Sequence, residues 1–125
     1  MLAVHHLAIV VSDLVVSERF YVGVLDLSVT RRWSDERGEP RSIWLALEHG
    51  AFLALERATG GARRDDGAAG FHCVALGIAV GERLLWRDRL EEAGFPVERA
   101  SPYTLYVRDP DRNLVALSHW PDAAQ

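Results

Sequence analysis

The chain is 125 residues long, enough for one sizeable core and too short for two ordinary domains. Its composition, 49% hydrophobic and 26% charged, excludes a disordered or fibrous chain. A formal net charge of −4 gives no electrostatic reason to bind a phosphate backbone, and all 14 basic residues are arginines, which excludes Schiff-base and P-loop lysine chemistry.

The first element is a strand within Val4–Asp13. Side chains alternate along a strand, so His6, Ala8 and Val10 share one face while His5, Leu7, Ile9 and Val11 share the other. Ser12 and Asp13 sit where helix N-caps are favoured. A helix follows over Leu14–Leu25, with an apolar stripe of Val16, Phe20 and Val24 flanked by Tyr21 and Leu25. Leu27–Trp33 reads as a second strand and Ser34–Arg41, with Gly38 and Pro40, as a loop. Ser42–Glu48 and Ala51–Arg57 read as strands joined by a tight turn at His49-Gly50.

Ala58–Gly70 is rich in Gly and Ala, the composition of an exposed connector, and its Arg63-Arg64-Asp65-Asp66 run reads as a solvated loop. The pattern then restarts: strand Phe71–Val80, helix Glu82–Ala93 ended by Gly94, and strands Val97–Ala100, Thr104–Arg108 and Leu114–Trp120. Each half is β-α-β-β-β. Trp44, Leu45, Ala54 and Leu55 match Tyr106, Val107, Ala116 and Leu117 at one constant offset, and His6 is expected to correspond to His72 and to face the same way.

One helix covers only one face of a four-stranded half, so the other face needs a second layer. Two halves side by side predict a curved eight-stranded mixed sheet with helices outside and a concave, mostly apolar cavity. Its expected lining is His6, Phe52, Ala54, Glu56, His72, Val74, Leu114, Ala116, Ser118 and Trp120. His5, His49 and His119 are expected to have no site role. Ser118 beside His119 is no triad, because neighbouring strand residues point to opposite faces, and no Gly-x-Ser-x-Gly is present.

His-His-Leu-Ala-Ile-Val-Val-Ser-Asp-Leu at the start, Ser17, Phe20-Tyr21 and Leu25-Asp26-Leu27 after it, and Asp109-Pro110-Asp111 with Asn113 near the end resemble the vicinal oxygen chelate superfamily. That group includes glyoxalase I, extradiol dioxygenases, fosfomycin-modifying enzymes and the bleomycin-resistance binding proteins. The resemblance covers nearly the whole chain. It implies an α+β fold of two tandem βαβββ modules (residues 1–57 and 71–120, connector 58–70) in a single domain over 1–125, and commonly a homodimer.

In metal-using members of that group, ligands are classically histidines on the first strands and glutamates on the last strands of the modules. His6 and His72 fall on the histidine positions, whereas Ala54 and Ala116 stand where the glutamates are expected. Glu56 lies two residues past Ala54 on the same face and completes a tentative set of His6, His72 and Glu56 for Zn, Mn, Ni or Fe. Asp26 and Arg112 stand where the group often has Gly; Asp adopts the left-handed conformation a turn needs more readily than Arg does.

The leading expectation is therefore a metal-poor protein that holds a small, partly apolar organic molecule, as in bleomycin sequestration. The alternative is a divalent-metal-dependent lyase, isomerase or dioxygenase. A lone cysteine, Cys73, permits no intrachain disulfide; together with an N-terminus that lacks a signal-like pattern and the lack of a long apolar run, it predicts a cytoplasmic protein with neither membrane nor nucleic acid as partner.

Overall fold

The computed structural model describes residues 1–61 and 64–123. Contacts divide the chain into two compact units, residues 1–62 and 63–125. The first carries β1 (His6–Val11), α1 (Leu14–Glu18), β2 (Val29–Ser34), β3 (Pro40–Ala46) and β4 (Phe52–Arg57). The second carries β5 (Val74–Gly77), α2 (Arg83–Glu92), β6 (Arg99–Ala100), β7 (Thr104–Arg108) and β8 (Leu114–Ser118). The fold is thus α+β, two successive βαβββ modules. Each module builds one four-stranded mixed sheet, ordered β1-β4-β3-β2 and β5-β8-β7-β6. In both, the first strand runs parallel to the last, and the remaining pairs are antiparallel.

In the first module, alternation decides which face is covered. Val11, Leu53, Leu55, Ile43 and Leu45 are buried beside Leu14, Ser17, Phe20, Tyr21 and Leu25 of the helical segment. Asp13 caps that segment: its Oδ1 accepts the backbone N–H groups of Val15 and Val16 at 2.9 and 3.1 Å. The cap sets the phase, so Leu14 and Ser17 turn inward and the predicted stripe is corrected at Val16, which is 40% exposed. From Arg19 to Val24 the helix widens into a π turn, with Leu25 N–H reaching the Phe20 carbonyl at 3.0 Å. That extra width allows the consecutive rings of Phe20 and Tyr21 to be buried together, edge to face at 4.9 Å.

The β3–β4 turn is as read from the sequence, with His49 and Gly50 both at positive φ (58° and 79°). Asp26 and Arg112 also take the left-handed conformation, at φ 63° and 68°. Near Arg112 the backbone is held by Asp109, which is buried: its Oδ1 accepts the N–H groups of Asp111 and Asn113 at 2.9 and 2.7 Å, and its Oδ2 accepts Asn113 Nδ2 at 3.0 Å. A side-chain clamp of this kind secures the turn without glycine.

The second module's core is Val74, Leu90, Leu105, Val107, Val115 and Leu117. Its strands are shorter than read from the sequence: β5 starts at Val74 instead of Phe71, β6 is reduced to Arg99–Ala100, and β8 ends at Ser118. Arg64, Asp65 and Asp66 lie in an exposed loop, as read from the sequence, and Arg63 lies outside the described residues. Arg64 donates to the carbonyls of Phe71 and His72 and to Asp66, while Asp66 pairs with Arg108, whose Nε also reaches Glu98 at 2.7 Å. No helix among the described residues is long and apolar enough to cross a membrane.

Candidate functional site

The sheet face of the first module turned away from α1 carries His6, Ala8 and Val10 of β1, Phe52, Ala54 and Glu56 of β4, Ser42, Trp44 and Ala46 of β3, and Arg31 and Trp33 of β2. This follows from the pairings His6 with Phe52, Ala8 with Ala54, Trp44 with Ala54 and Arg31 with Trp44. Aromatic rings run across all of its strands. His6 stacks on Phe52 (centroids 4.8 Å apart, planes 8° apart), Phe52 on Trp44 (4.2 Å, 23°), and Trp44 leans on Trp33 (5.3 Å, 59°).

His6 is exposed, and Phe52, Trp44 and Trp33 are half-buried, so the row offers ring surface to a ligand. The Trp33 indole N–H is buried without a hydrogen-bond partner among the described residues. His5, expected to be uninvolved, joins the row: its ring meets Phe52 edge-on at 5.7 Å, and its Nδ1 lies 2.9 Å from Nδ1 of His6. One of these two nitrogens carries the shared hydrogen while the other accepts it. Trp44 and Trp33 were not among the residues expected from the sequence to line the site. Trp44 alternates with Ser42 and Ala46, a signal that places it on one face but not beside Phe52.

In the second module the predicted lining separates. Leu114, Ala116 and Ser118 share a face with Ala75, Gly77, Thr104 and Tyr106, and the Ser118 and Thr104 hydroxyls meet at 2.9 Å. Val74 pairs with Val115 and faces the core, on the opposite side. His72 precedes β5, so its assignment to a strand is corrected. Because Ala8 pairs with Ala54 and Ala75 with Ala116, the residue in register with His6 is Cys73, not His72. An extra residue between His72 and the strand has displaced the imidazole from the expected position. Trp120 lies beyond β8 and is 69% exposed, its ring edge against Tyr103 at 4.7 Å. Its neighbour His119 is buried, with Nε2 2.8 Å from Arg83 and Nδ1 against the Asp122 carbonyl.

The tentative metal set does not fit an ion. Glu56 pairs with Val10, four residues along from His6, a separation of about 13 Å at roughly 3.3 Å per residue. Side chains standing perpendicular to a sheet do not close that distance. The Glu56 carboxylate instead accepts the Ser42 hydroxyl at 3.0 Å. The nearer position, opposite Ala8, holds the methyl of Ala54. Among the described residues, no three His, Cys, Asp or Glu side chains group as a metal site.

Charges near the open faces differ in their partners. Arg32, on the helix-facing side of β2, is neutralised by both oxygens of Glu18, whose carboxyl is held below its usual range by that guanidinium. Asp35 and Asp66 are likewise lowered, chiefly by hydrogen bonds from Arg57 and Arg108. Arg31 and Arg99 instead lie on rings: Arg31 Cζ is 5.2 Å from the Trp33 centroid and Arg99 Cζ is 4.3 Å from that of Tyr106.

Comparison with known proteins agrees with this architecture. The family model of the Glyoxalase/Bleomycin resistance protein/Dioxygenase superfamily matches residues 3–117. No curated protein matches the chain significantly. Among solved structures, SMU.1112c superposes with a TM-score of 0.78 at 24% identity, covering 95% of this chain and 99% of that one. A glyoxylase/bleomycin resistance protein/dioxygenase domain from Frankia sp. EAN1pec gives 0.76 at 22% identity, covering 95% and 98%. An E126Q mutant of the fosfomycin resistance protein FosX from Listeria monocytogenes, complexed with Mn(II) and 1S,2S-dihydroxypropylphosphonic acid, gives 0.73 at 14% identity, covering 94% and 91%. The match to the family model over nearly the whole chain, on two βαβββ modules, places this chain in the glyoxalase/bleomycin resistance protein/dioxygenase superfamily.

Proposed function

We propose that this protein binds a small, flat, partly apolar organic molecule non-covalently on the open sheet face of its first module, without a resident metal ion. The observation that carries the reading is the ring row His6, Phe52, Trp44 and Trp33. Stacked rings present area whose orientation is already fixed, so little side-chain entropy is lost when a planar molecule settles on them. Burying about 200 Å² of apolar ligand surface is worth about 5 kcal/mol before association costs, which on its own corresponds to a dissociation constant of about 0.2 mM, so the binding expected is weak. Ala54 and Ala116, in place of carboxylates, favour binding over ion-assisted chemistry.

The test is calorimetric titration of the bicyclic probe 2-naphthol. Wild type is expected to bind it, and Phe52→Leu to weaken binding at least fivefold; no binding by wild type, or equal binding by the variant, would remove the reading. A second reading, a divalent-metal enzyme in which the imidazoles bind the ion without Glu56, draws support from the Mn(II) held by FosX. Elemental analysis of protein purified without added metal decides it: near-stoichiometric Zn, Mn, Ni or Fe in wild type that disappears in His6→Ala/His72→Ala would favour the enzyme.

A further inference from the structure

The two modules carry the same row of residue types at the same register, of which the linear sequence shows only the inner alanine and the ring. In the first, Ala8 pairs with Ala54, Ala54 with Trp44, and Trp44 with Arg31. In the second, Ala75 pairs with Ala116, Ala116 with Tyr106, and Tyr106 with Arg99. Each open face therefore reads, across its four strands, alanine, alanine, aromatic ring, arginine. Ala8 and Ala75 are exposed while Ala54 and Ala116 are buried, the ring stands next in the row, and the arginine stands at the outer edge.

These two arginines differ from Arg32, Arg57 and Arg108 on the sheets. Arg32 is neutralised by Glu18, and Arg108 by Glu98 and Asp66. Arg31 and Arg99 are exposed, each rests on a ring, and among the described residues neither forms an ion pair or a hydrogen bond to an acceptor. A guanidinium lying on a ring has its plane fixed while its N–H edge stays free. That edge matches the paired oxygens of a carboxylate, sulfonate or phosphonate.

From this repeated row we infer that Arg31 reads a negative charge on the ligand held at the first module's face, and Arg99 separately does so for a ligand at the second module's face, so that the ligand class is a flat organic anion. The inference rests on the binding function proposed above and sharpens it. The ring wall takes the flat apolar part, and the arginine takes the anionic group. Because both guanidinium groups are exposed, each contributes about a three- to fivefold preference at low salt, and the preference fades as salt screens it.

The experiment compares naphthalene-2-sulfonate with 2-naphthol by calorimetry on wild type, Arg31→Gln, Arg99→Gln, the double variant, and Arg37→Gln as a control in the β2–β3 loop. Wild type is expected to prefer the sulfonate. Arg31→Gln is expected to lose about three- to fivefold of that preference at the first module's face and Arg99→Gln the same at the second's, with naphthol affinity unchanged and the control like wild type. Sulfonate binding no better than naphthol in wild type overturns the inference while leaving the binding function standing. An undiminished preference in the double variant, or an equal loss in Arg37→Gln, overturns it too. Failure of both probes to bind removes the binding function and this inference together.

Discussion

Asp26 and Arg112 both hold left-handed backbone, at φ 63° and 68°, but they do so at different cost. Asp tolerates this region because its short side chain satisfies nearby backbone, whereas Arg carries the full steric penalty of about 1–2 kcal/mol. Replacing Arg112 with glycine relieves that penalty but adds chain entropy to the unfolded state, a loss of roughly 0.5–1 kcal/mol. Arg112→Gly is therefore expected to stabilise the protein by up to about 1 kcal/mol, read as a higher urea midpoint with an unchanged slope. Asp109 beside it acts oppositely. Its buried carboxylate accepts two backbone N–H groups and the Asn113 amide. Asp109→Ala leaves those donors unmet and is expected to cost about 1–3 kcal/mol in the same measurement.

At the level of elements, α1 is joined to β2 by the bidentate pair of Glu18 and Arg32. Since the hydrogen bond from Arg32 lowers the Glu18 pKa in the folded state, the pair's contribution is complete above the ordinary carboxylate pKa. It is lost as pH falls through the lowered folded value. Asp35 and Asp66, lowered by Arg57 and Arg108, act in the same direction. Stability is accordingly expected to decline on acidification below about pH 4, a range set by the ordinary carboxylate values. Glu18→Gln should flatten part of that decline and cost, after allowance for solvent exposure, about 0.5–1 kcal/mol at neutral pH and low salt. Thermal melts of both proteins between pH 3 and 7 check this; parallel curves would mean that the pair is energetically silent. The π turn after α1 belongs to this scale as well, because its extra width lets the consecutive rings of Phe20 and Tyr21 both enter the core.

For the whole molecule, the reading as a metal-poor binder predicts that dialysis against a chelator leaves the unfolding temperature unchanged. A fall of several degrees would reveal an ion that binds the folded state. The tandem βαβββ order was legible in the chain because hydrophobic period, capping residues and turn residues are local properties. Ser12-Asp13 before the helix, His49-Gly50 between strands and the Asp109–Asn113 turn each carry their conformation in a few neighbouring residues. The faces of β1 and β4 were legible for the same reason, so His6, Phe52, Ala54 and Glu56 were correctly grouped on one side of a sheet. The tertiary structure alone decided which residue of one strand sits opposite which residue of another. That register put Cys73 where His72 was expected, left Glu56 four positions from His6, and aligned Phe52 with Trp44 and Trp33 into a continuous ring row. Pairing between strands distant in sequence depends on hydrogen bonds and packing formed only on folding, and a one-residue slip moves every side chain to the other face.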